Sequence, residues 1–116
     1  MSDPDERALV VKAIKSGLGG CVEWDPDVID RIRRELGPFG LTGAKIRSEL
    51  IAYVQGGGAI CQVKESRHEW KDRRNYYYKA VVPAGPFKKG LFVELVLADS
   101  DPDFPEVLLV NAHEQK

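Results

Sequence analysis

Cysteine, methionine and histidine are all scarce in this chain, with two Cys, one Met and two His among 116 residues. Cys21 and Cys61 form no C-x-x-C and have no histidine pair nearby, which removes the common zinc sites and disulfide frameworks. They read as reduced, partly buried thiols. No apolar run approaches the roughly 18 residues that a membrane span requires. The N-terminal MSDPDERALVVK starts acidic and has neither a basic n-region nor a long apolar h-region, so it does not read as a signal peptide. The expected location is the cytoplasm, with no membrane partner. An excess of one charge is also lacking, since 17 basic residues face 18 acidic ones and the pI is about 6.1. A global cationic field that would steer the chain to nucleic acid is therefore absent, and any such binding needs a local patch. There is no G-x-S-x-G, no P-loop, no H-E-x-x-H and no Rossmann fingerprint. The glycines at 17, 19 and 20 lack the strand–turn–helix setting of a phosphate cradle. Neither a metal site nor a cofactor is expected, and no internal repeat or low-complexity tract is present.

What is there fits one domain over residues 1–116, with 43% apolar and 30% charged residues. Three helices are predicted in the first half. Asp3 caps the first, Pro4 opens it, and Leu9, Val10, Ala13, Ile14 and Leu18 form its stripe. Asp25 and Pro26 start the second, with Val28, Ile29, Ile32 and Leu36 on one face. The third lies in LTGAKIRSELIAYVQGGG, with Ile46, Leu50, Tyr53 and Val54 as its stripe and Gly56 as its left-handed end. The period then changes. Residues 59–65, 75–83, 91–99 and 106–113 read as strands rich in Val, Ile, Tyr and Phe. Their connections are too short for helical crossovers, so successive strands should pair antiparallel. The expected fold is α+β, with N-terminal helices packed on one face of a four-stranded antiparallel meander. Residues 1–40 form a helical extension, and residues 41–116 hold the third helix and the sheet.

Strand parity sorts the sheet into a core face and an open face. Ala59, Cys61, Val63, Tyr76, Tyr78, Ala80, Val82, Leu91, Val93, Leu95, Leu97, Leu108, Val110 and Ala112 are expected in the core. The open face then shows Gln62, Lys64, Tyr77, Lys79, Val81, Phe92, Glu94, Val96, Val107, Leu109, Asn111 and His113. Val96, Val107 and Leu109 on that face suggest an apolar docking patch for a protein. Meander geometry puts His68 and His113 at opposite ends of the sheet, which argues against a two-histidine acid–base pair.

Three groups of residues invite a chemical reading. The stretch SRHEWKDRRNYYYK (66–79) belongs to a segment, 64–89, with eight Lys and Arg against three acids. Guanidinium forks bind phosphate and aromatic rings stack on bases. Lys64, Arg67, Arg73, Arg74 and Tyr77 are therefore the candidate RNA-binding residues, with Trp70 a further candidate for stacking; the bland alternative is a charged hairpin tip. The acids Asp99, Asp101, Asp103 and Glu106 lack the central glycine of an EF-hand and are interrupted by Pro102 and Pro105, so a solvated turn is expected there. The acidic loop is expected at the same end as the basic tip, where pairing between the two would partly mask the basic patch. The third group is Lys79, Glu94, Asn111 and His113. RNA cleavage by its 2′-hydroxyl needs a base, an acid and a cation. Glu94 or His113 suits the first two roles and Lys79 the third, which makes these three the candidate catalytic residues. The alternative here is a surface Lys79–Glu94 ion pair beside an ordinary terminal histidine.

Helices followed by such a meander, with Arg, Lys, Tyr and His on the sheet and its tips, resemble the RelE/ParE-type small bacterial toxins over residues 40–113. The resemblance is architectural. It implies a ribonuclease-like fold, metal-independent cleavage of RNA, an antitoxin-like protein partner, and roles for Lys64, Arg67, Arg73, Tyr77, Lys79 and His113. The chain departs from the family pattern in its acid pI, its first forty residues and the position of Glu94 within the phosphate surface. The alternative from another class is a non-enzymatic module that docks a protein on the open sheet face.

Overall fold

The computed structural model describes residues 4–116. Asp3, the expected cap of the first helix, lies outside the described residues. The elements run α1 (Pro4–Ser16), β1 (Val22–Trp24), α2 (Ile29–Leu36), α3 (Gly43–Gln55), β2 (Cys61–Lys64), β3 (Tyr76–Ala84), β4 (Phe87–Asp99) and β5 (Glu106–Glu114). The fold is α+β, as the change of period from helical to alternating implies.

Local chemistry sets the helix ends. Gly17, at φ +67°, terminates α1. The Asp25 side chain accepts from the Asp27 amide at 2.9 Å and so builds a turn before α2, not the helix cap itself. Thr42 caps α3 by accepting from the Lys45 amide at 3.1 Å. At the other end Gly57, φ +95°, takes the left-handed position, whereas Gly56 keeps φ −81°. Gly43 is required by close approach: a Cβ there would lie 2.5 Å from Ile29 Cδ1 and 3.1 Å from Trp24 Nε1. Trp24 Nε1 also donates to the Gly43 carbonyl at 2.8 Å, which fixes the start of α3 against β1.

The sheet corrects the expected four-stranded meander. It has five strands in the order β1-β5-β4-β3-β2, and β1 pairs parallel to β5 through Val22–Val107, Glu23–Leu108 and Trp24–Leu109. Three residues are too few to carry a period, so β1 has no signature of its own. It is placed by burial of Val22, which is fully inaccessible, and by the bond from the Asp25 amide to the Leu109 carbonyl at 3.0 Å. Strands β2 to β5 do pair antiparallel in sequence order. The β3–β4 connection is shorter than expected, because Ala84 pairs with Phe87 and leaves only Gly85-Pro86 as the turn.

One core joins helices and sheet. Val10, Ala13 and Ile14 of α1, Ile32 and Leu36 of α2, and Ile46, Leu50 and Val54 of α3 cluster with Tyr78, Ala80, Val82, Leu91, Val93 and Leu95. The expected parity fails on two strands. On β5, Glu94 pairs with Asn111 while Leu95 pairs with Leu109, so Val110 is an extra residue in a bulge. The bulge reverses the phase below it. Val107 and Leu109 are fully buried in the core, and Leu108 and Val110 are half-buried on the other side. The expected Val96/Val107/Leu109 patch therefore does not exist. On β2, Cys61 is exposed opposite Lys79, Val63 stands opposite Tyr77, and Gln62 stands opposite Tyr78. The core contact here comes from Ile60, and Gln62 Nε2 donates to the buried Tyr78 hydroxyl at 2.9 Å.

Candidate functional site on the open sheet face

The register lays the open face out in cross-strand rows. One row is Cys61, Lys79, Glu94 and Asn111, each directly opposite the next. The row toward the end of β5 is Val81, Phe92 and His113. On the other side of Glu94 come Val63 with Tyr77, and Val96 with Leu108.

Above this upper part the 65–75 segment folds back. Its turn is closed by Arg67 carbonyl bonds to the Trp70 and Lys71 amides, both 2.9 Å, and by the Glu65 amide to the Asn75 carbonyl at 2.8 Å. Arg67 then reaches two carboxylates at once. Its Nε and Nη2 each donate to Glu65 at 2.8 Å, and Nη1 and Nη2 donate to Glu94 at 3.3 and 2.8 Å. Arg74 Nε adds a bond to Glu65 at 3.4 Å. The Glu65 side chain is wholly buried, that of Glu94 is 8% exposed, and that of Arg67 is 39% exposed. Buried carboxylates are tolerated because their oxygens are satisfied by guanidinium groups. The hydrogen bonds and charge of Arg67 hold the Glu65 carboxyl below its usual range against the opposing effect of burial. The same bonds, first to Glu65 and then to Glu94, raise the Arg67 guanidinium pKa still further above its already high value.

Aromatic rings complete the tip. The Arg67 guanidinium lies 4.4 Å from the Tyr77 ring centre. Arg74 and Arg73 lie 4.6 and 5.6 Å from that of Trp70. From the opposite side α2 contributes Arg31, whose Nη2 donates to Asn111 Oδ1 at 2.7 Å and whose Nη1 donates to Glu35 at 2.9 Å. Between tip and helix is a cleft of about 390 Å³, with Val28, Val96, Leu108 and Val110 as its apolar lining and Asp25, Arg31, Arg67, Arg74, Trp70, Glu94 and Asn111 as its polar and aromatic groups.

The candidate residues divide between this cleft and its surroundings. Arg67, Arg74 and Glu94 line it, and Tyr77 lies under Arg67. Arg73 is exposed on the rim at Trp70. Lys64 pairs with Tyr76 and so falls on the other parity from Tyr77 and Lys79. Lys79 is exposed opposite Glu94, but the hydrogen bonds of Glu94 go to Arg67. His113 lies one row away, stacked on Phe92 with ring centres 4.6 Å apart and an interplanar angle of 18°. Its Nδ1 is 2.9 Å from the Glu114 carbonyl oxygen. His68 sits in the 65–75 tip. The acidic loop does not neutralise the tip among the described residues: Arg67 and Arg74 pair with Glu65 and Glu94. Asp99 and Asp101 instead accept from the amides of Asp101 and Asp103, at 2.9 Å each. No group of metal-ligating side chains occurs among the described residues, and no helix there is long and apolar enough to cross a membrane.

Arg31, Asp25 and Val28 were not legible as site residues. They reach the cleft only because β1 docks beside β5 and carries α2 with it. No family model matches the chain, and comparisons with curated proteins and with solved structures also return no match.

Proposed function

We propose that this protein binds single-stranded RNA on the open face of its sheet, with the cleft between the 65–75 tip and α2 as the principal site. The observation that supports this reading is the convergence of Arg31, Arg67 and Arg74 with the Trp70 ring on one concave surface. Guanidinium groups meet phosphate oxygens in bidentate fashion, and an indole offers a base a stacking surface without demanding a particular sequence. Val96, Leu108 and Val110 give an unstacked base an apolar bed. Among the cleft's lining residues three guanidinium groups face two carboxylates, Asp25 and Glu94, which leaves a small local excess of positive charge.

The RelE/ParE-type resemblance extends the reading to metal-independent cleavage; separately from it, Glu94 and His113 suit the roles of base and acid and Lys79 that of the cation that steadies the phosphate. The geometry favours binding over this extension. Glu94 is held by Arg67 through both oxygens, and His113 belongs to the neighbouring row. A second reading, protein docking, is favoured by one observation: the apolar strip of Val96, Leu108 and Val110 in the cleft.

Labelled single-stranded RNA, with and without EDTA, separates these readings. Binding at low salt without cleavage supports the principal reading, and cleavage that survives EDTA supports the toxin-like extension. If RNA is neither bound nor cut, the RNA reading fails and the apolar strip points to a protein partner.

A further inference from the structure

A second depression lies on the same sheet face toward its β2 edge, running from the Cys61–Lys79 end of the row that holds Glu94 to the row of Phe92 and His113. It measures about 490 Å³ and is lined by Cys61, Lys79, Val81, Phe92, His113 and Gln115, among others. We propose that this basin is a second nucleotide subsite, so that a bound RNA strand runs from the Trp70 cleft across Lys79 and lays a base on the Phe92–His113 pair. This rests on the RNA-binding reading above and deepens it by assigning the path.

Three observations support the path. First, the two depressions are contiguous. Glu94 and Asn111 line the cleft, Lys79 lines the basin, and Lys79 is directly opposite Glu94. From Val96 in the cleft to Phe92 in the basin is four residues along one strand, about 13 Å at the usual strand rise. An oligonucleotide bridges that distance and a mononucleotide does not.

Second, the charges along the path suit a phosphate chain. Glu94 would repel phosphate if it were free, but Arg67 and Arg74 together balance it and the buried Glu65. Lys79 is exposed, and no hydrogen bond or ion pair engages it among the described residues. Its ammonium therefore stands in the one row that joins the two depressions. Third, the basin has a flat aromatic wall. Phe92 and His113 stack nearly parallel at 4.6 Å, and His113 is exposed, so a base has a ring to lie against. A purely apolar partner would gain nothing from Lys79 at the boundary, which favours RNA as the occupant.

Cys61 supplies the test, because its thiol is exposed in the basin while Cys21 is buried. The full chain is alkylated with N-ethylmaleimide in the presence of a single-stranded RNA hexamer at low salt, and RNA binding is followed in parallel by anisotropy. Cys61→Ser identifies the fast-reacting thiol. At RNA about ten times its dissociation constant, the Cys61 rate should fall about tenfold, in proportion to the unliganded fraction. Lys79→Gln, a surface change that spares the fold, should weaken both RNA binding and protection. Normal RNA binding with an unchanged Cys61 rate would overturn the second subsite and leave the principal cleft standing. No RNA binding at all would overturn both, and the face would then belong to a protein.

Discussion

Arg67 and Glu94 are joined by two hydrogen bonds, of 2.8 and 3.3 Å, at the centre of the open sheet face. The pair decides how the charge of that face is used. A carboxylate in the path of a phosphate chain would normally oppose RNA, and here the tip guanidinium groups of Arg67 and Arg74 balance it together with the buried Glu65. Removing the carboxylate while keeping its shape should therefore help binding. Glu94→Gln is expected to tighten RNA several-fold at low salt, because the cleft gains a net positive charge. Anisotropy titration checks this, and weaker binding would show that Glu94 itself contacts the ligand.

Glu65 is the buried anchor of the tip. Its side chain has no exposure and takes bonds from both Arg67 and Arg74. Breaking a buried pair from one side costs about 3–5 kcal/mol in general. With the Arg67 side chain 39% exposed, solvent screening reduces the expected cost of Glu65→Ala to about 2 kcal/mol. Urea unfolding at neutral pH measures it.

The same group predicts a pH dependence. The folded-state pKa of Glu65 is lowered relative to the ordinary 4.5, chiefly by the Arg67 hydrogen bonds. Its contribution is thus present in full above that ordinary value and is lost as the pH falls through the lower folded value. The stability gap between wild type and Glu65→Ala should be constant from neutral pH down to mildly acid pH and should close in stronger acid. A gap that instead widened in acid would contradict the assignment.

The bulge at Val110 makes neighbouring leucines behave differently. Leu109 is wholly buried, and Leu109→Ala should cost about 2–5 kcal/mol. Leu108→Ala, at the edge of the cleft, should cost under about 1.5 kcal/mol and should instead weaken ligand binding. Denaturation midpoints of the two variants settle the order.

Tyr78 ties α1 to the sheet. Its hydroxyl donates to Glu6 at 3.0 Å and accepts from Gln62 at 2.9 Å, and its ring is fully buried.

Helices and long strands were legible in the sequence because their periods run for many residues. Ile46, Leu50 and Val54 repeat at helical spacing, and Tyr78, Ala80 and Val82 alternate cleanly. Two features had no such signal. Val22–Trp24 is too short to show a period, yet it sets the fifth strand and brings Arg31 to the cleft. The Val110 bulge adds one residue in a run of apolar side chains, Val107 to Val110, where either phase looks plausible. One slip of register exchanges core for surface, and it moved the apolar strip from Val107 and Leu109 to Leu108 and Val110. The basic and aromatic character of the tip was visible in SRHEWKDRRNYYYK. That Arg67 turns back onto two carboxylates was not, because Glu94 lies 27 residues away and only the fold brings it near.

Whether the cleft holds a phosphate chain is read most directly from the salt dependence of RNA binding in wild type and Arg31→Ala. Log K is expected to fall linearly and steeply with log salt, with the Arg31→Ala slope shallower by about one. Binding that is indifferent to salt, or a slope that Arg31→Ala leaves unchanged, would show that the cleft does not hold a phosphate chain.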